Sequence, residues 1–379
     1  MKKVLALVLA VLLVSTLFAG CGAAGGGFEV PLITDKGNID DKSFNQGAWE
    51  GVVAFAEANK KTHKYYKPEE ASDAGYLQSI DLAVTGGAKV VVTPGFLFEV
   101  AVYEAQTKYP DVKFILLDGA PHTADYSTFE TKANVASVMY AEEESGYLAG
   151  YAAVKDGFTK LGFMGGMAVP AVQAFGYGYL QGIEAAAAEL GMADGSVEVT
   201  YHYTGNFEEN DTNKATAKTM YQEGKEVIFA CGGSVGKSVM SAASESGTKV
   251  IGVDVDQRYD SDTVITAATK GLGTSVEQVL EAIYKTNSWD KFSGKTTYFN
   301  ASNGGVSLPT AKLEGVTGGS DMHRFQTFSK ADYDALYAKL ASGSIKPVRT
   351  IAVADANGNA TAEELASGLG LAKVAVTVR

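Results

Sequence analysis

The sequence predicts an α/β fold of two doubly wound parallel-sheet domains joined by a hinge, and three observations carry that reading. Short, nearly continuously apolar runs recur at Lys89–Thr93, Lys113–Leu117, Lys160–Met164, Val227–Ala230 and Lys249–Val253, as parallel strands covered on both faces require. Helical stretches alternate with them at Glu99–Lys108, Ala141–Asp156, Val172–Leu190, Asp211–Glu223 and Gly236–Ser246, and such alternation builds a parallel sheet. The length of 379 residues accommodates two cores at ~100 to 200 residues per domain.

Met1, Lys2 and Lys3 form a basic start, and Val4–Phe18 carries no charge. That run is shorter than the ~20 apolar residues a bilayer core needs, so it reads as the apolar region of a secretory signal. Leu17-Phe18-Ala19-Gly20-Cys21 resembles a bacterial lipobox, which implies removal of residues 1–20 and acylation of Cys21. The alternative is a plain cleaved signal with an incidental cysteine. Gly22–Gly27 is a stretch of glycine and alanine only, suited to a flexible tether for an extracytoplasmic domain. No later apolar run is long enough to span a bilayer.

Beyond the tether, Phe28–Ile33 reads as a strand. Asp41–Asn59 reads as a helix with Phe44, Ala48, Val52 and Phe55 on one face. The two runs of alternation divide between Asn134 and Lys160. Ligands of open parallel sheets sit beyond the carboxyl ends of the strands, so the cleft between the domains is the expected site. Strand ends are followed there by Asp35, Asp118, Cys231-Gly232-Gly233 and Asp254. Val264–Ala268 reads as a further strand. Asp355–Asn359 reads as a turn, in a tail of uncertain attachment.

Composition excludes several classes. Against 44 Asp+Glu stand 32 Lys+Arg, a net charge of −12, whereas tracking nucleic-acid phosphates needs clustered basic residues. Two cysteines and four histidines give neither a disulfide framework nor metal-ligand spacing, so no metal and no cofactor are expected.

In Asp35–Gln46 three aspartates, a glycine and an aromatic lie between a strand and a helix. Asp40 and Asp41 read as helix caps, whereas Asp35, Phe44 and Asn45 are placed to face the cleft. An aromatic face with a neighbouring amide can stack and orient a planar ring. Cys231–Ser238 imitates a phosphate loop, but a Walker motif needs glycine where Cys231 stands. Its better reading is a close backbone approach to a ligand at a helix N-terminus through Gly232. Cys231 reads as a small buried residue, and the aromatic stretch Phe175–Tyr179 reads first as core. No constellation for catalysis is visible, and no enzyme is expected.

Thr34–Gly51 closely resembles the signature of the basic membrane protein family, the PnrA-like substrate-binding lipoproteins of ABC transporters. The resemblance continues through Glu142–Gly150, through Gly165-Gly166-Met167 towards Phe175, and through Gly252–Gln257. It implies a type I periplasmic-binding-protein fold, with residues 28–145 and 263–295 in the first domain, 146–262 and 296–350 in the second, and 351–379 as an extension. It further implies a purine nucleoside such as adenosine, guanosine or inosine as ligand, an ABC permease as partner, and a lipid-anchored monomer on the outer face of the cell membrane. Carried over by motif, Phe44 and Phe175 sandwich the base, and Asn45 and Asp118 bond its edge. Asp35, Asp254, Lys270 and the Gly232 region hold the ribose. The carboxylates suit hydroxyl donors and oppose phosphate, which favours nucleoside over nucleotide. A sugar or other small polar metabolite is the alternative ligand, and an exported nucleoside-processing enzyme the alternative class.

Overall fold

The computed structural model describes residues 27–313, 322 and 324–379. The expected signal, Cys21 and all of the tether but Gly27 lie outside those residues. Two sheets organise the rest. The first comprises β1 (Val30–Ile33), β2 (His63–Tyr66), β3 (Val90–Pro94), β4 (Lys113–Leu117), β5 (Val135–Tyr140) and β11 (Lys295–Phe299), in the order β11-β5-β4-β3-β1-β2. The second comprises β6 (Lys160–Gly165), β7 (Val197–Tyr203), β8 (Val227–Cys231), β9 (Lys249–Asp254), β10 (Val264–Lys270), β12 (Val306–Ser307) and β13 (Val374–Val378). Its order is β12-β10-β9-β8-β6-β7-β13. Among the named strands of the described residues, only β10 and β12 pair antiparallel.

Helices α1 (Phe44–Ala58), α2 (Asp73–Thr85), α3 (Glu99–Lys108) and α8 (Leu272–Tyr284) cover the first sheet. Helices α4 (Glu142–Lys155), α5 (Pro170–Glu189), α6 (Asp211–Gln222) and α7 (Val235–Ser246) cover the second, with α9 (Lys330–Ala341) and α10 (Ala362–Leu369) further on. The apolar strand runs are the central ones: every residue of β1, β3 and β8 is buried. The edge strand β2, His-Lys-Tyr-Tyr, has no fully buried residue and no apolar signature. An edge strand needs none, since only one of its flanks is paired.

Two expected boundaries are corrected. Residues 263–295 do not stay with the first domain, because β10 pairs with β9 in the second sheet; the chain returns to the first only at Gly271, for α8 and β11. Conversely, residues 296–299 belong to β11 beside β5, not to the second domain. The runs of residues are too alike in composition to reveal which sheet they join. The chain thus passes between the sheets after β5, after β10 and after β11, and these crossings are bonded together. Ala141 N donates to Phe299 O (2.9 Å) and Gly271 N to Gly305 O (2.8 Å). Ser145 Oγ reaches both Thr269 O and Ser307 O (3.1 and 3.2 Å).

The Glu142–Gly150 motif has a packing role. Along the α4–α5 seam, a Cβ on Gly146 would lie 2.1 Å from Phe175 O, and one on Gly150 2.1 Å from Tyr179 O. Only glycine allows the two backbones to approach this closely, and the seam fixes where Phe175 enters the cleft. The tail is attached to the second domain, with β13 parallel to β7.

A candidate ligand cleft at the switch points of both sheets

Strand order reverses between β1 and β3 in the first sheet and between β6 and β8 in the second, where doubly wound sheets open a crevice at their carboxyl ends. A cavity of about 550 Å³ lies there. All eight expected positions line it: Asp35, Phe44, Asn45, Asp118, Phe175, Gly232, Asp254 and Lys270.

Asp35 follows β1 and is held by the start of α1. Its Oδ1 accepts from Gly37 N (2.7 Å) and Asn45 Nδ2 (2.8 Å), while its own N donates to Asn45 Oδ1 (3.1 Å). Among the described residues no donor reaches Oδ2. Asn45 Nδ2 also donates to Asp41 Oδ2 (2.9 Å), so both amide hydrogens of Asn45 are used within the protein, and the residue orients Asp35. Asp41 caps the helix as expected, accepting from the backbone N–H groups of Ser43, Asn45 and Gln46 at 2.8, 3.0 and 3.1 Å.

Asp118, directly after β4, and Asp254, the last residue of β9, have φ of +55° and +66°. A left-handed backbone at a residue other than glycine costs of order 1–3 kcal/mol and clusters at functional sites. Here it turns each carboxylate out of the strand line towards the cleft. Asp118 Oδ2 accepts from Lys270 Nζ, and its buried Oδ1 has no partner. Asp254 Oδ2 accepts from Ser43 Oγ of the opposite domain (2.5 Å), and among the described residues no donor reaches its Oδ1.

Lys270 is the buried cation of this acidic site. Its Nζ pairs with Asp118 and lies 3.1 Å from Glu142 Oε1; behind it, Arg349 Nη1 lies 2.6 Å from Glu142 Oε2 and 2.6 Å from Glu143 Oε2. The ammonium sits 4.9 Å from the Phe44 ring centroid and 5.4 Å from that of Phe175, a cation–π distance to both aromatics. Burial alone would lower the Lys270 pKa, but Asp118, Glu142 and Asp254 outweigh it and keep the amine protonated. Burial pushes the Asp35 carboxyl up to about 6, against the bonds from Gly37 and Asn45 and with Asp41 and Asp254 adding repulsion. Burial likewise raises Asp254 and Asp118, in both cases against Lys270. Burial would raise Glu142 as well, yet Lys270 and Arg349 hold it below the usual range.

Gly232 lies where β8 meets β6. A Cβ there would fall 2.7 Å from Gly166 N, so its lack of a side chain serves strand packing as well as the cavity wall. Cys231 is buried and free, with its thiol raised well above the ordinary range by burial. Tyr177 and Tyr179 are core residues, as the aromatic pattern suggested, whereas Phe175 faces both core and cavity. Sequence reasoning missed the rim. His122, between Thr123 O (2.8 Å) and Glu99 Oε2 (3.1 Å), stacks on Tyr126 at 4.2 Å. Ala356, Asn357 and Gly358 of the tail line the cavity too. Only the turn signal at Asp355–Asn359 hinted at the latter. Among the described residues there is no group of side chains spaced to hold a metal, and no helix long and apolar enough to cross a membrane.

Known proteins resemble this chain over most of its length. A family model described as ABC transporter substrate-binding protein PnrA-like matches residues 28–341. The ABC transporter nucleoside-binding protein BmpA of Lactococcus lactis subsp. cremoris is 32% identical, covering 81% of this chain and 92% of its own. Basic membrane protein A of Borreliella burgdorferi is 31% identical over 81% and 86%. The crystal structure of an ABC transporter solute-binding protein from Aeropyrum pernix superposes with a TM-score of 0.73 at 24% identity, covering 91% of this chain and all of that one.

Proposed function

The chain belongs to the PnrA-like family of ABC transporter substrate-binding proteins, which bind solutes rather than transform them, and on that premise we propose that its ligand is a purine nucleoside. The observation that carries the proposal is the set of unmatched acceptors. Asp118 Oδ1 is buried without a partner, and no hydrogen bond among the described residues reaches Asp35 Oδ2 or Asp254 Oδ1, whose partner oxygens are fixed. A buried acceptor without a donor is costly, so a ligand that relieves Asp118 Oδ1 and bonds the other two oxygens is rich in hydroxyl and N–H groups. Phe44 and Phe175, both against the same ammonium, form the walls between which a planar base stacks. Asp254, Lys270 and the Gly232 backbone hold the ribose with Asp35; Asp118 takes the base edge, with Asn45 orienting the carboxylate beside it. Adenosine, guanosine and inosine all meet these demands.

The protein works by hinge closure. A ligand touching both domains stabilises the closed arrangement by its differential affinity for it. An anchor at Cys21 holds the receptor, as a monomer, at the outer face of the cell membrane, where it delivers the nucleoside to an ABC permease. Native mass spectrometry of protein purified without refolding, followed by calorimetric titration with the three nucleosides, tests the reading. A co-purified mass equal to a purine nucleoside is expected; a retained sugar, or no heat with any nucleoside, overturns it.

A further inference from the structure

The matched family region ends at residue 341, yet the chain beyond it returns to the cleft. Val348 N donates to Gln181 Oε1 (2.7 Å), and Gln181 Nε2 donates to Val348 O (2.9 Å). The N–H groups of Ala372, Lys373 and Val374 all donate to Glu184 Oε2 at 3.0, 2.8 and 3.2 Å. These bonds and the β13–β7 pairing tie the tail to α5 and the sheet edge on either side of the Asp355–Asn359 turn. The turn itself is closed by one carboxylate: Asp355 accepts from the N–H groups of Asn357 and Asn359 (both 3.2 Å) and from Asn359 Nδ2 (2.6 Å). Asn359 and these N–H groups hold that carboxyl below its usual range.

The turn is pressed against the start of α5. Gly358 has φ +79°, and a Cβ there would fall 2.5 Å from Gln173 Nε2 and 2.8 Å from Ala168 O. Gln173 Nε2 donates to Gly358 O (2.8 Å). Ala356, Asn357 and Gly358 thereby line the same cavity as Phe175. Their contribution is small and uncharged, because Asp355 spends its carboxylate inside the turn. Asn357 has one end of its amide tied to Asp355 Oδ1 (3.3 Å) and the other free at the rim.

We propose that the 355–359 turn is a specificity-determining wall of the binding cleft, which limits the size of substituent a nucleoside can carry on the side facing α5. This rests on the nucleoside reading above. The wall discriminates by shape and by one amide, so enlarging it penalises substituted ligands more than the parent.

The test is calorimetric titration of the wild-type chain, Ala356→Trp and Asn357→Trp with adenosine, an N6-benzyl adenosine and a 5′-methylthio adenosine. Thermal unfolding verifies that each variant is folded, and Asn357→Trp serves if Ala356→Trp is not. In a folded variant the affinity for at least one substituted ligand, relative to adenosine, falls about tenfold or more, and ratios unchanged within about threefold for both ligands overturn the wall. If the wild-type chain binds none of the three, the nucleoside reading fails first and the wall with it. If adenosine binds and the ratios do not move, only the wall fails.

Discussion

Ser43 Oγ donates to Asp254 Oδ2 at 2.5 Å across the cleft, so a hydroxyl of one domain already bonds a carboxylate of the other. Gln257 Nε2 to Lys42 O (2.7 Å), Lys237 Nζ to Asp40 O (3.1 Å) and the Lys42–Asp260 pair (3.7 Å) reinforce the same contact. A hydrogen bond to a charged group contributes about 1.5–3 kcal/mol. Ser43→Ala should therefore lower nucleoside affinity about tenfold and enlarge the radius of gyration of the unliganded protein in X-ray scattering. Unchanged affinity with an unchanged radius would show that the bond plays no part in closure.

Phe44 and Phe175 predict different outcomes on truncation. Phe44 is half-buried, whereas Phe175 is 2% exposed and also packs edge-on to Phe229 at 6.0 Å. Stacking a base is worth about 1–3 kcal/mol, so Phe44→Ala should weaken binding about 10- to 100-fold with little change in melting temperature. Phe175→Ala should cost stability as well, about 3 kcal/mol or more. Equal melting losses in the two variants would contradict this division between wall and core.

Protonation sets opposite trends for stability and for binding. Burial raises the Asp35 carboxyl from 3.8 to about 6, so the folded chain holds this proton more tightly than the unfolded chain. The stability this group contributes is full below its unfolded value and is lost as pH rises through about 6. Ligand hydroxyls favour the carboxylate instead. Nucleoside binding should release protons near pH 6 and weaken below it, which calorimetry in buffers of different ionisation heat would measure. Proton uptake on binding in that range would refute the acceptor role.

The α4–α5 seam predicts a stability effect away from the ligand. A methyl group at position 150 would meet Tyr179 O at 2.1 Å, and backbone cannot yield as a side chain tip can. Gly150→Ala should destabilise the protein by about 3 kcal/mol in chemical unfolding, the upper end of the cost of overpacking. A loss within the range of an ordinary surface substitution would mean that the helices separate without cost.

Much of the site was legible because its chemistry sits at strand ends. Asp35, Asp118, Gly232 and Asp254 each follow a recognisable apolar run, and doubly wound geometry alone directs those positions to one crevice. The spacing of Thr34–Gly51 added Phe44 and Asn45. Asn45 illustrates the limit: its position was readable, but its use in orienting Asp35 depends on a hydrogen-bond network that spacing does not encode. The sheet membership of Val264–Lys270 was misread for a related reason, since crossings are decided by pairing with β9 and β12, not by local pattern. The Asp355–Asn359 turn was readable as a turn, while its place in the cavity wall depends on contacts with Gln173 and Ala168, far away in the sequence.

Carboxylate oxygens left without donors select a neutral, donor-rich ligand in this proposal. Calorimetric titration of one purified sample with guanosine and with guanosine 5′-monophosphate decides whether they do. Asp35, Asp118 and Asp254 oppose a phosphate, and Lys270 is already shared between Asp118 and Glu142. The nucleoside should bind about 100-fold or more tightly than its monophosphate, as uncompensated charge in a partly buried site demands. Equal affinity for the two would contradict the assignment of the cleft.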